Sequence, residues 1–154
     1  MSAGAWKNLG FLALVLAVFV GFRLYAGRAA PVPDAFANDV SLADAIGQSH
    51  ESGKPVFAVF TADWCGPCQS YKRGSLASEE VAAALRERAI PVYVNVDTDR
   101  EDLETLEQIG YTIQGVPTTI VIRGHEVSDY VIGALDASDV LSMIDRPVAA
   151  AKGE

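Results

Sequence analysis

The sequence predicts an α/β domain, a central mixed four-stranded sheet flanked by helices, preceded by an N-terminal apolar helix. Three observations predict it. Short runs of β formers alternate with amphipathic helical patterns, the signature of strand–helix–strand units. The last two candidate strands are separated by only a short connection, which reads as a hairpin and adds an antiparallel edge. An uninterrupted apolar stretch stands ahead of all of these, set apart by a Pro-containing segment.

The elements follow in order. Residues 1–28 read as a membrane anchor or a signal segment. "LGFLALVLAVFVGF" at 9–22 has no charged or polar side chain. As a helix it spans about 21 Å at 1.5 Å per residue. Counted from Trp6 to Tyr25 the span is about 30 Å, the thickness of a bilayer core. Trp6 and Tyr25 then fall at the two interfaces, with Lys7 and Arg23 snorkelling outward. The rival reading is a cleavable signal peptide, with small residues at Gly27 and Ala29 before Ala30. A short tail before a first apolar segment commonly stays in the cytoplasm. That predicts a single span in the inner (cytoplasmic) membrane with the rest of the chain in the periplasm, or a soluble periplasmic protein after cleavage.

Residues 29–40 are rich in Ala, Pro and Asp and read as a linker. A folded domain is expected over 41–146, with 147–154 as a tail. Ser41 and Asp44 form a capping-box-like start, Leu42, Ala45 and Ile46 one apolar face, and Gly53 with Pro55 the end of the first helix. "VFAVFTA" at 56–62 is too short for a helix and reads as a strand buried on both faces. A helix follows the cysteines and breaks near Gly74–Ser75. Ser78 caps a second piece, with Glu79 and Glu80 in its first turn and Val81, Ala84 and Leu85 inward, until Pro91 closes it. "PVYVNV" is the next strand. Glu101 and Asp102 open a helix with Leu103, Leu106 and Ile109 inward, ended by Gly110. "TTIVI" at 118–122 and "VSDYVI" at 127–132 are strands joined by "RGHE". Asp136 caps a last helix carrying Val140, Leu141 and Ile144. Two strand–helix–strand units imply parallel pairing, and the hairpin an antiparallel edge.

Charge excludes one class of partner. The net charge is −8, but residues 1–30 hold Lys7, Arg23 and Arg28 and no acid, so the remainder balances at −11. Such a surface repels nucleic acid. It also favours solubility.

The only two cysteines lie in "TADWCGPCQS", residues 61–70. A thiol reacts as thiolate, which the unpaired N–H groups at a helix N-terminus stabilise. The pattern places Cys65 there, directly after a buried strand. Pro67 suits a first helical turn. Cys68, three residues on, returns to the same face and can attack a mixed disulfide formed at Cys65. A structural disulfide competes poorly, because so small a loop removes little chain entropy. Structural zinc wants four ligands, and the only histidines, His50 and His125, lack the spacing. "DTDRE" at 97–101 faintly echoes a calcium loop but has Asp102 and Gln108 where that loop needs Gly and Glu. No metal or cofactor is expected.

With "WCGPC" at 64–68, "GVPTT" at 115–119 and this order of elements, the chain resembles the thioredoxin superfamily. "KPVFAVFTADWCGPC" followed by "SEEVAAAL" is most similar to the subgroup that includes the C-terminal domain of the periplasmic thiol:disulfide interchange reductase. The resemblance covers about residues 41–145. It implies a thioredoxin-like fold and thiol–disulfide oxidoreductase activity. Cys65 would be the nucleophile and Cys68 the resolving thiol, with Trp64, Gly66 and Pro67 completing the motif. Pro117 would be a cis-proline facing the disulfide, and Val116 would offer backbone hydrogen bonds to a client strand. The plainer readings are a core aromatic for Trp64 and a strand-start proline for Pro117. Thioredoxins usually carry a buried Asp six residues before the first cysteine and a Lys beside it on the next strand. Here those positions are Val59 and Tyr93. The resolving thiol then needs another proton acceptor, such as Asp63, water or the client.

The resemblance implies client proteins bearing disulfides as partners, together with a transmembrane or other thiol electron donor. The expected function is a membrane-tethered reductase of extracytoplasmic disulfides. A chaperone-like redox-linked binding module with little turnover, and a cytoplasm-facing thioredoxin feeding a peroxidase, are the alternatives.

Overall fold

The computed structural model describes residues 3–26 and 29–146, with side chains described over 10–22 and 29–146. The first helix, α1, spans Ala3–Ala26. All of residues 10–22 are exposed, Phe11, Leu14, Val18 and Phe22 among them. Among the described residues no helix is long and apolar enough to cross a membrane. The expected apolar helix is therefore present, but its reading as a transmembrane span is not supported. The side chains of Trp6, Lys7, Arg23 and Tyr25 lie outside the described residues, as do Gly27 and Arg28 of the cleavage reading and the tail 147–154.

The remaining α-helices among the described residues are α2 (Leu42–Ser52), α3 (Gly66–Arg73), α4 (Glu79–Arg88), α5 (Arg100–Gln108) and α6 (Ala137–Asp145). The strands are β1 (Val56–Thr61), β2 (Ile90–Asn95), β3 (Thr118–Arg123) and β4 (Glu126–Ile132), in the sheet order β2-β1-β3-β4. The caps act as their sequences predict. Ser41, Ser78 and Asp136 accept from the backbone N–H of Asp44, Val81 and Asp139. Gly53 at the end of α2 has φ of 73°, a left-handed conformation that suits glycine.

β1 is buried along its whole length. Its side chains alternate, as the pleat requires. Val56, Ala58 and Phe60 pack with α2 and α5 residues such as Leu42, Ile46 and Leu106. Phe57 and Val59 pack on the other side with Tyr71, Leu85 and Val140 of α3, α4 and α6.

Two expectations need correction. Only β1 and β2 pair in parallel; β3 runs antiparallel to β1. The irregular segment 109–117 after α5 extends up to about 30 Å, enough to return the chain to the cysteine end before β3 begins. Strand direction here is set by that segment, not by the helix. Second, 29–40 is not a free linker. Ala30, Pro33, Ala35 and Phe36 are buried, and Phe36 joins the core beside Val59 and Tyr71. The Phe36 ring meets Tyr93 edge-on at 6.5 Å between centroids. Asn38 Nδ2 donates to Pro91 O at 3.0 Å, which covers part of the outer edge of β2. Pro91 itself lies inside β2, where an edge strand tolerates the missing N–H.

Candidate active site

β1 ends at Thr61, and a tight turn carries the chain into α3. Cys65 is the N-cap of α3, with extended backbone and its sulfur accepting from Cys68 N at 3.2 Å. Pro67 sits in the first helical turn, where its missing N–H costs no hydrogen bond. Cys65 and Cys68 form a disulfide with their Cα atoms 5.2 Å apart. Both are buried, Cys65 at 4% exposure and Cys68 at 1%. They pack on Ala62, Val96 and Val116. Gly66 and Pro67 are exposed between them, and a Cβ at Gly66 would meet nothing within 4 Å. The glycine leaves that flank open without being demanded by the fold.

The segment before β3 faces the disulfide. Val116 O lies 3.5 Å from Cys65 Sγ. A disulfide sulfur has no proton, so this is a contact in the oxidised form and a hydrogen bond only for a reduced thiol. The Val116–Pro117 peptide is cis. Around it, Thr118 Oγ1 donates to Gly115 O at 2.6 Å and Gly133 N to Pro117 O at 2.7 Å. Tyr71 of α3 and Thr119 of β3 share a buried hydrogen bond of 3.2 Å. Burial pushes the Tyr71 phenol up to about 12. This bond ties the helix of the dithiol to the strand of the cis-proline.

Trp64 is not a core aromatic. It is 72% exposed, and its indole N–H donates to Asp97 Oδ2 at 2.9 Å. Its ring borders a groove of about 360 Å³ whose apolar lining includes Val96, Leu103, Leu106, Ile113 and Val116. The sequence reading missed Asp97 as the group that fixes this ring. Its signal was present, since Asp97 follows the strand that pairs with β1.

It missed two more residues, both on α3. Gln69 is buried and donates from Nε2 to Ala62 O and Asp63 O at 3.2 and 3.1 Å. Lys72 is also buried, and its ammonium reaches Tyr93 Oη at 3.1 Å and Asp63 Oδ1 at 3.5 Å. Val59 is buried directly beside Tyr93 in the β1–β2 register. The two positions of the carboxylate–lysine pair expected of thioredoxins are thus held by Val59 and Tyr93, and a lysine from the helix, Lys72, donates to Tyr93 Oη. Asp63, a proposed substitute base, is engaged with Lys72.

A dithiol at a helix N-cap, opposed by a cis-proline segment on a mixed sheet, defines a thiol–disulfide oxidoreductase. The comparisons carry the assignment to a family. The family profile described as "Thioredoxin-like" matches residues 37–124. The thioredoxin of Chlorobaculum thiosulfatiphilum is 33% identical over 98 residues, covering 64% of this chain and 83% of its own. That of Acidithiobacillus ferridurans is 32% identical over 95 residues, covering 62% and 81%. Among solved structures, "DsbH Oxidoreductase" aligns with a TM-score of 0.57 at 22% identity, over 74% of this chain and 88% of that one. A disulphide isomerase from Xylella fastidiosa Temecula1 aligns at 0.56 and 21%, over 75% and 96%. At those identities the two structures speak for the fold alone. The chain belongs to the thioredoxin-like family. Its members exchange with disulfide-bearing client proteins and thiol donors.

Proposed function

We propose that this oxidoreductase reduces disulfides of extracytoplasmic client proteins while tethered to the membrane by its N-terminal segment. The observation that carries the reductase reading is Cys65 at the α3 N-cap, opposite the cis-Pro117 segment and beside the groove under Trp64. The Cys65 thiolate attacks one client sulfur, and the other client sulfur leaves as thiolate. Cys68 then loses its proton and attacks the Cys65 sulfur of the mixed disulfide. The second client thiolate leaves, and two electrons have passed to the client. The Cys65–Cys68 disulfide is the product of that sequence. Resetting it outside the cytoplasm requires a thiol donor, for which a transmembrane one is the natural source.

The tether rests on the sequence and on exposure. Residues 10–22 are apolar side chains and glycines left uncovered. This stretch is shorter than the about 20 residues a span needs, and the flanks Trp6–Leu9 and Arg23–Tyr25 supply the rest of the length.

The test has two arms. The reduced protein, supplied with a chemical reductant, should turn over insulin disulfides, and near neutral pH alkylation should reach Cys65 before Cys68. Single-turnover binding without catalysis would instead favour the chaperone-like module. Salt and alkaline washes of membranes should leave the full-length protein bound. Mature protein beginning near Ala30 in the soluble fraction would defeat the tether and leave the dithiol chemistry standing.

A further inference from the structure

The turn 62–64 sets where Cys65 sits. Ala62 O accepts from Cys65 N at 3.3 Å, and the same carbonyl accepts from Gln69 Nε2. Gln69 Nε2 also holds Asp63 O. One carboxamide nitrogen therefore pins two successive carbonyls just ahead of the nucleophile. The other end of that carboxamide, Oε1, accepts from Ala30 N, a residue 39 positions earlier and ahead of the matched family segment. Polarity fixes this orientation. A flipped carboxamide would set oxygen against two carbonyls and NH₂ against an N–H.

Ala30 begins a docked strap. Pro31 and Pro33 restrict its backbone. Ala35 and Phe36 bury in the core at its far end. One turn beyond Gln69, Lys72 reaches Asp63 Oδ1, so α3 holds the same turn a second time. Gln69 is 7% exposed, which makes a polar end left without a partner costly.

We propose that Gln69 is a positioning residue of the active site, and that the strap 30–36 belongs to the site through it. Ala30 N–H holds Gln69 Oε1. The fixed carboxamide holds the carbonyls of Ala62 and Asp63. The Ala62 carbonyl accepts from Cys65 N and so holds Cys65 at the α3 N-terminus, where the first-turn N–H groups stabilise its thiolate. Gln69 itself touches no client. With either tie cut, Cys65 aligns less well with those groups, and its thiolate fraction near neutral pH falls.

The experiment uses the full-length reduced protein in detergent. Ala30→Pro deletes the strap's donor and leaves Gln69 intact. Gln69→Leu removes both polar ends, and Gln69→Asn, one methylene shorter, serves if the leucine variant does not fold. The readouts are the pH midpoint of thiolate absorbance, the rate of Cys65 alkylation located by mass spectrometry, and the melting temperature. Ala30→Pro and the Gln69 variant should each raise the midpoint and slow alkylation at pH 7 about three- to tenfold. The double variant should fall no further than the stronger single one, because both cut the same path. A purely structural role would lower the melting temperature and leave the midpoint in place, and that result overturns the proposal. Additive effects overturn it as well, as does an inert Ala30→Pro beside an active Gln69 variant. Insulin turnover by wild-type protein is independent of these outcomes, so the reductase reading fails or stands separately.

Discussion

Replacing Tyr71 with Phe tests the tie between the dithiol helix and the cis-proline strand. Tyr71 is 2% exposed and Thr119 fully buried, and their hydroxyls are 3.2 Å apart. Tyr71→Phe leaves Thr119 Oγ1 buried without that partner, which costs about 1–3 kcal/mol at neutral pH. Tyr71→Phe with Thr119→Val removes both partners and should recover most of that loss. The pH dependence sharpens the test. Burial raises the Tyr71 phenol from 10.0 to about 12, against which its bond to Thr119 acts more weakly. The unfolded chain therefore loses this proton first. The contribution is complete below pH 10 and is lost as pH rises through the folded value. Linkage gives a loss of roughly 1 kcal/mol by pH 11 and roughly 3 kcal/mol when ionisation is complete. Tyr71→Phe cannot suffer it. Urea unfolding of the oxidised proteins should show the gap between wild type and Tyr71→Phe closing by roughly 1 kcal/mol from pH 8 to pH 11. Parallel stability curves across that range, or a double variant as costly as the summed single ones, would refute the reasoning.

Two further perturbations follow from the same geometry. Asp102 accepts from Leu42 N at 2.7 Å, and its carboxyl is raised by partial burial and then by Asp99, Glu101 and Asp44, while the Leu42 bond acts the other way. A raised carboxyl contributes stability at low pH that is lost as pH rises through its folded value. Asp102→Asn keeps an acceptor for Leu42 and should raise stability at pH 7 in low salt, with the gain vanishing towards pH 3; a thermal melt showing loss at pH 7 would contradict this. Val59→Asp places a carboxylate in the buried site beside Tyr93 and should cost about 3–5 kcal/mol. If a proton acceptor for Cys68 limits resolution, the same variant should speed decay of the mixed disulfide; lost stability with an unchanged rate would show that it does not.

Local signals were legible because local physics decides them. The apolar run at 56–61 can only be satisfied between two layers, and both of its faces are buried. Ser41, Ser78 and Asp136 stand where orphan N–H groups need acceptors. The position of Cys65 followed from strand, turn and Pro67 together. Strand direction was not legible. β3 runs antiparallel because of where 109–117 delivers the chain, and no pattern within the strand encodes that. Lys72 was missed for a related reason. In a helix ending Lys72–Arg73, a lysine reads as a solvated last-turn cation. Its burial depends on Tyr93 and Asp63, which lie on other elements. Trp64 was legible as part of the motif, but not its exposure, since the Asp97 carboxylate that its indole N–H meets lies on another element.

The strap was the largest misreading, and it changes the geometry of the proposed tether. Ala, Pro and Asp over 29–39 have the composition of a linker, but composition measures only how little a segment can bury. Phe36 is one large side chain, and the prolines around it lower the entropy lost on docking. One anchored ring and a few backbone bonds then suffice to seat the segment. A free linker over 29–39 would let the domain move up to about 40 Å from the membrane. Docking at Ala30 leaves four Cα–Cα steps after Ala26, at most about 14 Å. A tether that short cannot work by letting the domain sample a volume. Were the proposed tether in place, it would restrict which faces of the domain can turn towards the bilayer, and access of membrane-bound clients to Cys65 would be governed by how the strap is seated.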